Sequence, residues 1–373
     1  MNLVKFYAAV DTSLRNYKRW VLHQYIYNTG RICMKTALLF AGQGSQRPGM
    51  GKDFYENYEE FRQVFNLLPE EQRRIAFEGP DLELKKTINT QPILLAFGIG
   101  VWKLLEKEGF VPEMAAGLSL GEYSALCAAG VFSTEEAVDL IAFRAQQMAA
   151  ASEGVDAAMS AILNLDRETV QECCREAETF LSQEGLDQEG EIAENTAPTL
   201  IRTASTAVEI ANYNCRGQIV IAGNCAAVAE AEKLAQKKGA RRTIRLKVSG
   251  PFHTAFMNPA AEALAKRFKS VSFGEGRFSV LFNCIGREKK AEESVADLLV
   301  RQVCSSVYFE DTIYRMAEAG IDTIVEIGPG KALSGFVRKT CMGIKTFNID
   351  TVEDFQNVVR SLKEKNTVKE AHS

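Results

Sequence analysis

Gly117-Leu118-Ser119-Leu120-Gly121-Glu122 is the stretch that decides how this chain folds. The pattern Gly-x-Ser-x-Gly is typical of a nucleophile elbow, a sharp turn between a strand and a helix that lifts a serine hydroxyl clear of the backbone. Glycine on each side of the serine permits the close backbone approach that the turn needs. Residues 111–117 have the pattern of a loop and short strand, and residues 122–129 that of a helix ended by Gly130. An ordinary strand-to-helix turn is the alternative, because glycine and serine are common in turns.

A serine nucleophile needs a base, and the chain contains 3 histidines. His23 lies in an N-terminal segment that does not match the rest, and His372 is the penultimate residue, where chains are often poorly ordered. His253 follows the Gly250-Pro251 turn and is therefore expected on a loop after a strand. A lone histidine is more often a packing or surface residue than a catalyst. The elbow nevertheless makes His253 the candidate base.

Helix and strand patterns alternate along the chain, as in α/β proteins. The periodicity predicts strands at 36–40 and 322–327 and helices at 54–65, 91–107 and 137–148. The middle third predicts the order β-α-β-β-α-β, which is the ferredoxin-like pattern. We therefore expect an α/β-hydrolase-like large domain, residues 34–156 and 249–360, with a small ferredoxin-like subdomain, residues 157–248, inserted into it.

Three further stretches accompany the elbow in a fixed order. They are Phe40-Ala-Gly-Gln-Gly-Ser-Gln46, Ser249-Gly-Pro-Phe-His-Thr254 and Gly328-Pro-Gly-Lys-Ala-Leu-Ser-Gly335. Together with Gly117–Tyr123 they resemble the motifs of malonyl-CoA:acyl-carrier-protein transacylases of fatty-acid synthesis. The resemblance runs from about Met34 to about Asp350 and implies the same two-part layout, with the active site in the cleft between the parts. Most members of that family have histidine where this chain has Leu118, a departure that concerns that side chain and not the serine.

The motif residues suggest roles in acyl transfer. Ser119 is interpreted as the nucleophile and His253 as the general base and acid. The N–H of Leu120, at the start of the elbow helix, is an expected oxyanion donor, and the Gly-x-Gly turn can bring the N–H of Gln43 as a second; the resemblance implies that this pair forms the oxyanion hole. Elbow hydrolases carry an acid between serine and histidine, but nothing in the sequence selects one. The resemblance implies instead that the backbone carbonyl of Gln302 orients the histidine.

Arg144 is the candidate for choosing the substrate. It stands among Ile141, Ala142, Phe143 and Ala145, so we expect it to be buried, and a buried guanidinium matches the planar fork of a carboxylate. A structural ion pair with a protein acid is the alternative. The resemblance favours the free carboxylate of a malonyl group, and it also assigns Phe252 to a malonyl-type pocket.

The resemblance implies an acyl carrier protein, which is typically acidic, as the second substrate. The formal net charge of this chain is −4, so docking would need a local basic patch. If residues 241–248 form a strand, Arg241, Arg245 and Lys247 share one face of it. A solvated strand edge is the alternative interpretation.

Composition limits the remaining possibilities. The 373 residues are 46% hydrophobic and 25% charged, as in soluble globular proteins, and the negative net charge argues against nucleic-acid binding. No uninterrupted apolar run predicts a membrane span. The 9 cysteines form neither a Cys-x-x-Cys pair nor a Cys/His cluster, which suggests reduced thiols in the cytoplasm and no metal site. No cofactor is expected, and a monomer is expected from the resemblance alone.

Three segments do not fit the α/β pattern. Residues 1–33 are basic with a single acid, Asp11; we interpret them as an overextended start before Met34, with an organelle transit peptide as the alternative. Residues 182–206 are acidic and polar and predict a solvated, partly disordered insertion. Residues 361–373 predict a polar tail.

The expected activity is a ping-pong transfer. Malonyl-CoA loads Ser119, and the phosphopantetheine thiol of a carrier protein then takes the malonyl group. Two alternatives stay open at this point: a serine esterase or thioesterase, in which water accepts the acyl group, and a non-catalytic subunit that docks the carrier protein.

Overall fold

The structure is a computed structural model that describes residues 35–188, 207–246 and 250–370. The predicted N-terminal extension, most of the acidic insertion and Lys247 lie outside the described residues. The strands are β1 (Thr36–Phe40), β2 (Met114–Gly117), β3 (Ala157–Leu163), β4 (Val208–Cys215), β5 (Gln218–Asn224), β6 (Arg242–Arg245), β7 (Ser279–Phe282), β8 (Arg287–Glu288), β9 (Val307–Tyr308), β10 (Thr323–Ile327) and β11 (Lys345–Ile349).

The helices lie in the segments between these strands and at the end of the chain described by the structure. They are α1 (Lys52–Asn57), α2 (Glu59–Phe65), α3 (Glu70–Glu78), α4 (Asp81–Leu84), α5 (Thr87–Lys107), α6 (Gly121–Ala129), α7 (Thr134–Ser152), α8 (Arg167–Gln188), α9 (Cys225–Lys237), α10 (Asn258–Phe268), α11 (Val295–Cys304), α12 (Phe309–Glu318), α13 (Ala332–Thr340) and α14 (Val352–Glu370). A short 3₁₀ turn, Ala255–Met257, precedes α10. The chain is therefore a mixed α/β structure.

The larger sheet has the strand order β11-β10-β1-β2-β7-β8. All neighbours in it are parallel except β7 and β8. Strands of a parallel sheet are covered on both faces, which is why β1 reads Thr-Ala-Leu-Leu-Phe without alternation and is buried at every position. The carboxyl ends of β1, β2, β7 and β10 meet at one edge, where open α/β sheets bind their ligands.

The smaller sheet has the strand order β6-β3-β5-β4-β9. Its first four strands and two helices follow the order β-α-β-β-α-β between Ala157 and Arg245. The fifth strand, β9, comes from outside that segment and pairs in parallel with β4 through Asn212 and Val307. Sequence periodicity could not indicate this two-residue strand, because it is too short to show an alternation.

Three predicted boundaries differ from the structure. The predicted helix 54–65 is two helices, since Tyr58 between them is extended, with φ −131° and ψ 122°. Helix α5 begins at Thr87, about one turn before the predicted start, and contains Pro92 inside it. Strand β6 ends at Arg245 rather than reaching residue 248.

Helix α5 is the only helix of the described residues that is long and apolar enough to cross a membrane. Within its most apolar window, 89% of the residues are buried inside the protein. The apolar surface of α5 is therefore covered by protein: its Gly100 lies against the ring of Phe61 on α2, and its Phe97 contacts the rings of Phe54 and Phe61.

We expect opposite stability changes from the same substitution in two helices. A Cβ added at Gly100 would lie 2.5 Å from Cδ2 of the buried Phe61, whereas nothing lies within 4 Å of a Cβ at Gly335 on α13. Gly100→Ala should lower the free energy of unfolding by about 1–3 kcal/mol through overpacking. Gly335→Ala, the matched control, should raise it by about 0.5–1 kcal/mol through helix propensity. Urea unfolding measures both, and a stabilised Gly100→Ala protein would contradict the described packing.

Candidate active site

Ser119 lies in the sharp turn between β2 and α6. Its φ is 55°, in the left-handed region that non-glycine residues seldom occupy. A Cβ at Gly117 would lie 1.9 Å from the backbone carbon of Gly121, and a Cβ at Gly121 would lie 2.3 Å from the carbonyl oxygen of Phe40 on β1. A side chain at either position would clash with the neighbouring backbone, so both positions require glycine. The stretch has the geometry of a nucleophile elbow.

His253 contacts the nucleophile directly. Its Nε2 lies 2.8 Å from Ser119 Oγ, and its Nδ1 lies 2.8 Å from the carbonyl oxygen of Gln302 on α11. A carbonyl oxygen can only accept, so Nδ1 carries the proton and Nε2 is free to accept the proton of the serine hydroxyl. The backbone carbonyl thus occupies the place that a carboxylate has in elbow hydrolases.

Arg144, on α7, is fully buried, with 0% of its surface exposed. Its Nη1 donates to Gln91 Oε1 at 2.7 Å, and its Nη2 donates to Gln302 Oε1 at 2.9 Å and to Ser119 Oγ at 3.1 Å. None of these acceptors is charged, and no carboxylate of the described residues forms an ion pair with Arg144. Burial lowers the pKa of its guanidinium, although an arginine stays protonated under ordinary conditions. A buried, unpaired cation therefore lies beside the nucleophile.

The histidine is held neutral by its surroundings. His253 is 4% exposed, and burial lowers its pKa to about 4, with the nearby positive charge of Arg144 as the second cause. Both causes disfavour the protonated ring. At neutral pH the imidazole is therefore unprotonated at Nε2 and ready to accept a proton.

Two backbone N–H groups are available for an oxyanion. A Cβ at Gly42 would lie 2.6 Å from the carbonyl oxygen of Leu118, so the loop after β1 packs directly on the elbow. Among the described residues, the N–H groups of Gln43 and Leu120 donate to no other protein group. Unsatisfied donors beside a nucleophile are what a developing oxyanion requires.

The site opens into a cavity of about 260 Å³ between the two sheets. Ser119 lines it from the end of β2, His253 and Phe252 line it from the loop after β6, and Asn212 and Asn214 line it from β4. The Oδ1 atom of Asn214 is buried and has no hydrogen-bond partner. The cavity thus presents a nucleophile, its base and unpaired polar groups to one small volume.

The sequence analysis missed Gln91 and Asn283, and it assigned a role only to the backbone of Gln302. Gln91 and the side chain of Gln302 hold Arg144, and Asn283 bonds to the elbow backbone. Gln91 could have been noticed as an amide just before the apolar run that begins at Pro92. Asn283 could have been noticed because it directly follows β7, the parallel neighbour of β2, and the ends of such strands meet.

The predicted docking face is only partly described. Arg241 is exposed and precedes β6, and Arg245 lies on β6, where its Nε donates to Glu232 Oε2 at 2.9 Å. Lys247 lies outside the described residues. The prediction that Arg241, Arg245 and Lys247 alternate along one strand is therefore wrong, because β6 contains only Arg245 of the three, and the charge of Arg245 is partly balanced by Glu232. A role of these residues in docking stays a prediction.

An elbow serine, a histidine oriented by a carbonyl and two free N–H donors make this an acyl-transfer site of the serine type. The family model described as "Acyl transferase domain" matches residues 37–182. The chain is 36% identical over 336 residues to the malonyl CoA-acyl carrier protein transacylase of Bacillus subtilis, covering 89% of this chain and 98% of that one.

Solved structures agree with this relationship. The malonyl CoA-acyl carrier protein transacylase of Clostridium perfringens superimposes with a TM-score of 0.79 at 34% identity, covering 90% of this chain and 99% of that one. A type II PKS acyl-carrier protein in complex with its malonyl-transacylase contains a chain that matches with a TM-score of 0.77 at 31% identity, covering 88% and 99%. The chain belongs to the malonyl CoA-acyl carrier protein transacylase family.

We expect His253 to titrate far below an ordinary histidine. Its imidazole resonances should show a midpoint near pH 4, and the neutral ring should carry its proton on Nδ1. Nitrogen-15 NMR of the imidazoles measures both, and His253→Gln assigns the signals. Arg144→Met should raise the pKa of His253 by removing a neighbouring positive charge. A midpoint near 6.5 in the unsubstituted protein would contradict the described burial.

Proposed function

We propose that this protein transfers the malonyl group of malonyl-CoA to the phosphopantetheine thiol of an acyl carrier protein, by a ping-pong reaction through an ester on Ser119. One observation carries the proposal: Ser119 Oγ lies within hydrogen-bond distance of both a neutral histidine and a buried guanidinium that has no carboxylate partner. The first makes the serine a nucleophile, and the second selects an acyl group that brings its own carboxylate.

The acylation step uses residues already in contact. Ser119 Oγ attacks the thioester carbonyl of malonyl-CoA while its proton passes to His253 Nε2. The N–H groups of Gln43 and Leu120 stabilise the oxyanion of the tetrahedral intermediate. The carbon–sulfur bond then breaks, and His253 returns the proton to the departing CoA thiolate. The backbone carbonyl of Gln302 holds the imidazole in the required tautomer throughout.

The second step repeats the first with a new nucleophile. The thiol of the carrier protein's phosphopantetheine gives its proton to His253 and attacks the malonyl-Ser119 ester. The Ser119–acyl bond breaks, the serine regains a proton and the malonyl thioester leaves on the carrier. Neither step requires a metal ion or another cofactor.

Arg144 is assigned the malonyl carboxylate. Binding an anion beside the guanidinium would compensate the positive charge that lowers the pKa of His253. The imidazole therefore becomes a stronger base when a malonyl group is in place than when a neutral acyl group is. Phe252, which lines the cavity, is assigned to the wall of the malonyl pocket.

The remaining assignments follow the family. Residues 34–156 and 249–360 are assigned to an α/β-hydrolase-like large domain and residues 157–248 to a ferredoxin-like subdomain, which the β-α-β-β-α-β order supports. Arg241, Arg245 and Lys247 are assigned to carrier-protein docking. We assign the protein to fatty-acid synthesis in the cytoplasm, as a monomer that binds neither nucleic acid nor membrane.

We expect intact-protein mass spectrometry to detect a malonyl adduct after brief mixing with malonyl-CoA. The adduct should be absent from Ser119→Ala and should move to a holo carrier protein when one is added. An adduct that is lost equally fast without the carrier would instead favour the esterase interpretation. Carrier binding without any adduct would favour the docking subunit.

We expect Arg144→Ala to change substrate selectivity rather than abolish acylation. Its rate constant for acylation by malonyl-CoA should fall roughly 10²-fold or more, since truncating one partner of a buried charge pair costs about 2–5 kcal/mol. Acylation by acetyl-CoA, which has no free carboxylate, should fall far less. Arg144→Lys, which keeps the charge but loses the planar fork, should be intermediate for malonyl-CoA. Equal losses for both thioesters would contradict the assigned role.

A further inference from the structure

Asn283 is fully buried at the carboxyl end of β7, and neither the motifs nor the proposed reaction gives it a role. Its side chain spans the nucleophile elbow. The Oδ1 atom accepts the backbone N–H of Ser119 at 2.6 Å, and the Nδ2 atom donates to the carbonyl oxygen of Gly117 at 2.7 Å. One amide therefore bonds to the backbone both at the strained residue and two residues before it.

The backbone of Asn283 is fixed as well. Its N–H donates to Glu122 Oε2 at 2.6 Å, and its carbonyl oxygen accepts from the N–H of Tyr308 at 2.7 Å. Glu122 lies in the first turn of α6, so Asn283 connects both sides of the turn that carries Ser119. Burial raises the pKa of the Glu122 carboxyl to about 8, and its Oε1 atom has no partner in the described structure.

These bonds determine which backbone donor is left free. The N–H of Ser119 is occupied by Asn283 Oδ1, whereas the next N–H along the chain, that of Leu120, has no protein acceptor among the described residues. Asn283 thus leaves the N–H of Leu120 as the free donor at the elbow. It also restrains Ser119 at φ 55°, the conformation in which Oγ lies 2.8 Å from His253 Nε2.

We propose that Asn283 is a positioning residue for the nucleophile, which holds the left-handed conformation of Ser119 through paired hydrogen bonds to the Ser119 N–H and the Gly117 carbonyl. This inference rests on the proposed acyl transfer. Asn283 is not among the residues that line the cavity, so its removal should lower the rate of attack and leave thioester binding unchanged. A misplacement of the nucleophile by about 1 Å can cost on the order of 10²-fold in rate.

Single-turnover acylation of the full chain by malonyl-CoA tests the proposal. Asn283→Leu, which keeps the approximate size but neither hydrogen bond, should lower the maximal acylation rate constant about 10²-fold. The half-saturating malonyl-CoA concentration should change by less than about threefold, because no binding group is removed. Asn224→Leu is the matched control: Asn224 accepts from the N–H groups of Ala226 and Ala227 at the start of α9, away from the cavity, so its variant should lose stability but keep the acylation rate.

The pH dependence of acylation by Asn283→Asp distinguishes a positioning role from a purely structural one. An ionised carboxylate would face the Gly117 carbonyl, with the Glu122 carboxyl bonded to the same residue's backbone N–H and Arg144 acting on Glu122, whereas a protonated one restores both a donor and an acceptor. Its rate relative to the unsubstituted protein at the same pH should therefore rise as the pH is lowered from 9 to 5, in parallel with the protonated fraction. This ratio cancels any titration of Glu122 that the two proteins share.

The outcomes distinguish a failure of the proposed function from a failure of the positioning role of Asn283. If the unsubstituted protein forms no malonyl adduct, the proposed function fails. If it does, and folded Asn283→Leu acylates within about threefold of it, the positioning role is overturned. A loss confined to the half-saturating concentration, or an Asn283→Asp rate ratio that stays low and unchanged from pH 9 to pH 5, overturns it equally.

Discussion

The site depends on one steric constraint: the backbone on either side of Ser119 approaches its neighbours more closely than a β-carbon allows. Gly117 and Gly121 make that approach possible, with hypothetical Cβ contacts of 1.9 Å and 2.3 Å. Strain of this kind persists only where surrounding structure holds it. Here β1, the end of β7 and α11 all contribute hydrogen bonds to the turn. The elbow is therefore a product of the whole parallel sheet and not of its own six residues.

The positive charge of Arg144 acts on both Ser119 and His253. Arg144 is buried among neutral acceptors, and its field helps to keep His253 unprotonated while its Nη2 contacts the serine oxygen. A buried cation without a counter-ion is costly, and proteins retain such groups chiefly where a ligand supplies the missing charge. Within the proposed reaction, the same residue sets the resting protonation state and recognises the substrate. Its amide partners Gln91 and Gln302 keep it oriented without neutralising it.

The sequence predicted the parts of the site that motifs carry and missed those that arise only from packing. Ser119 and His253, 134 positions apart in the chain, lie in contact as the elbow and the scarcity of histidine predicted. The burial of Arg144 followed from its apolar neighbours. Asn283 and Gln91 belong to no motif. Asn283 reaches the site because β7 lies beside β2, and Gln91 reaches it because α5 packs against the site. Strand β9 was missed for the same reason, since two residues show no periodicity.

Strand β9 has a mechanical consequence for the cleft. It belongs by chain position to the elements around the larger sheet, yet it completes the smaller one beside β4, and the ring of Tyr308 stacks on that of Tyr213 at 5.1 Å. Arg167 adds a bridge to Glu310 and Asp311 immediately after it. Moving the two sheets apart would break these contacts. These contacts oppose a change in the width of the cleft, so we expect acyl preference to depend on the side chains of its walls rather than on its degree of closure.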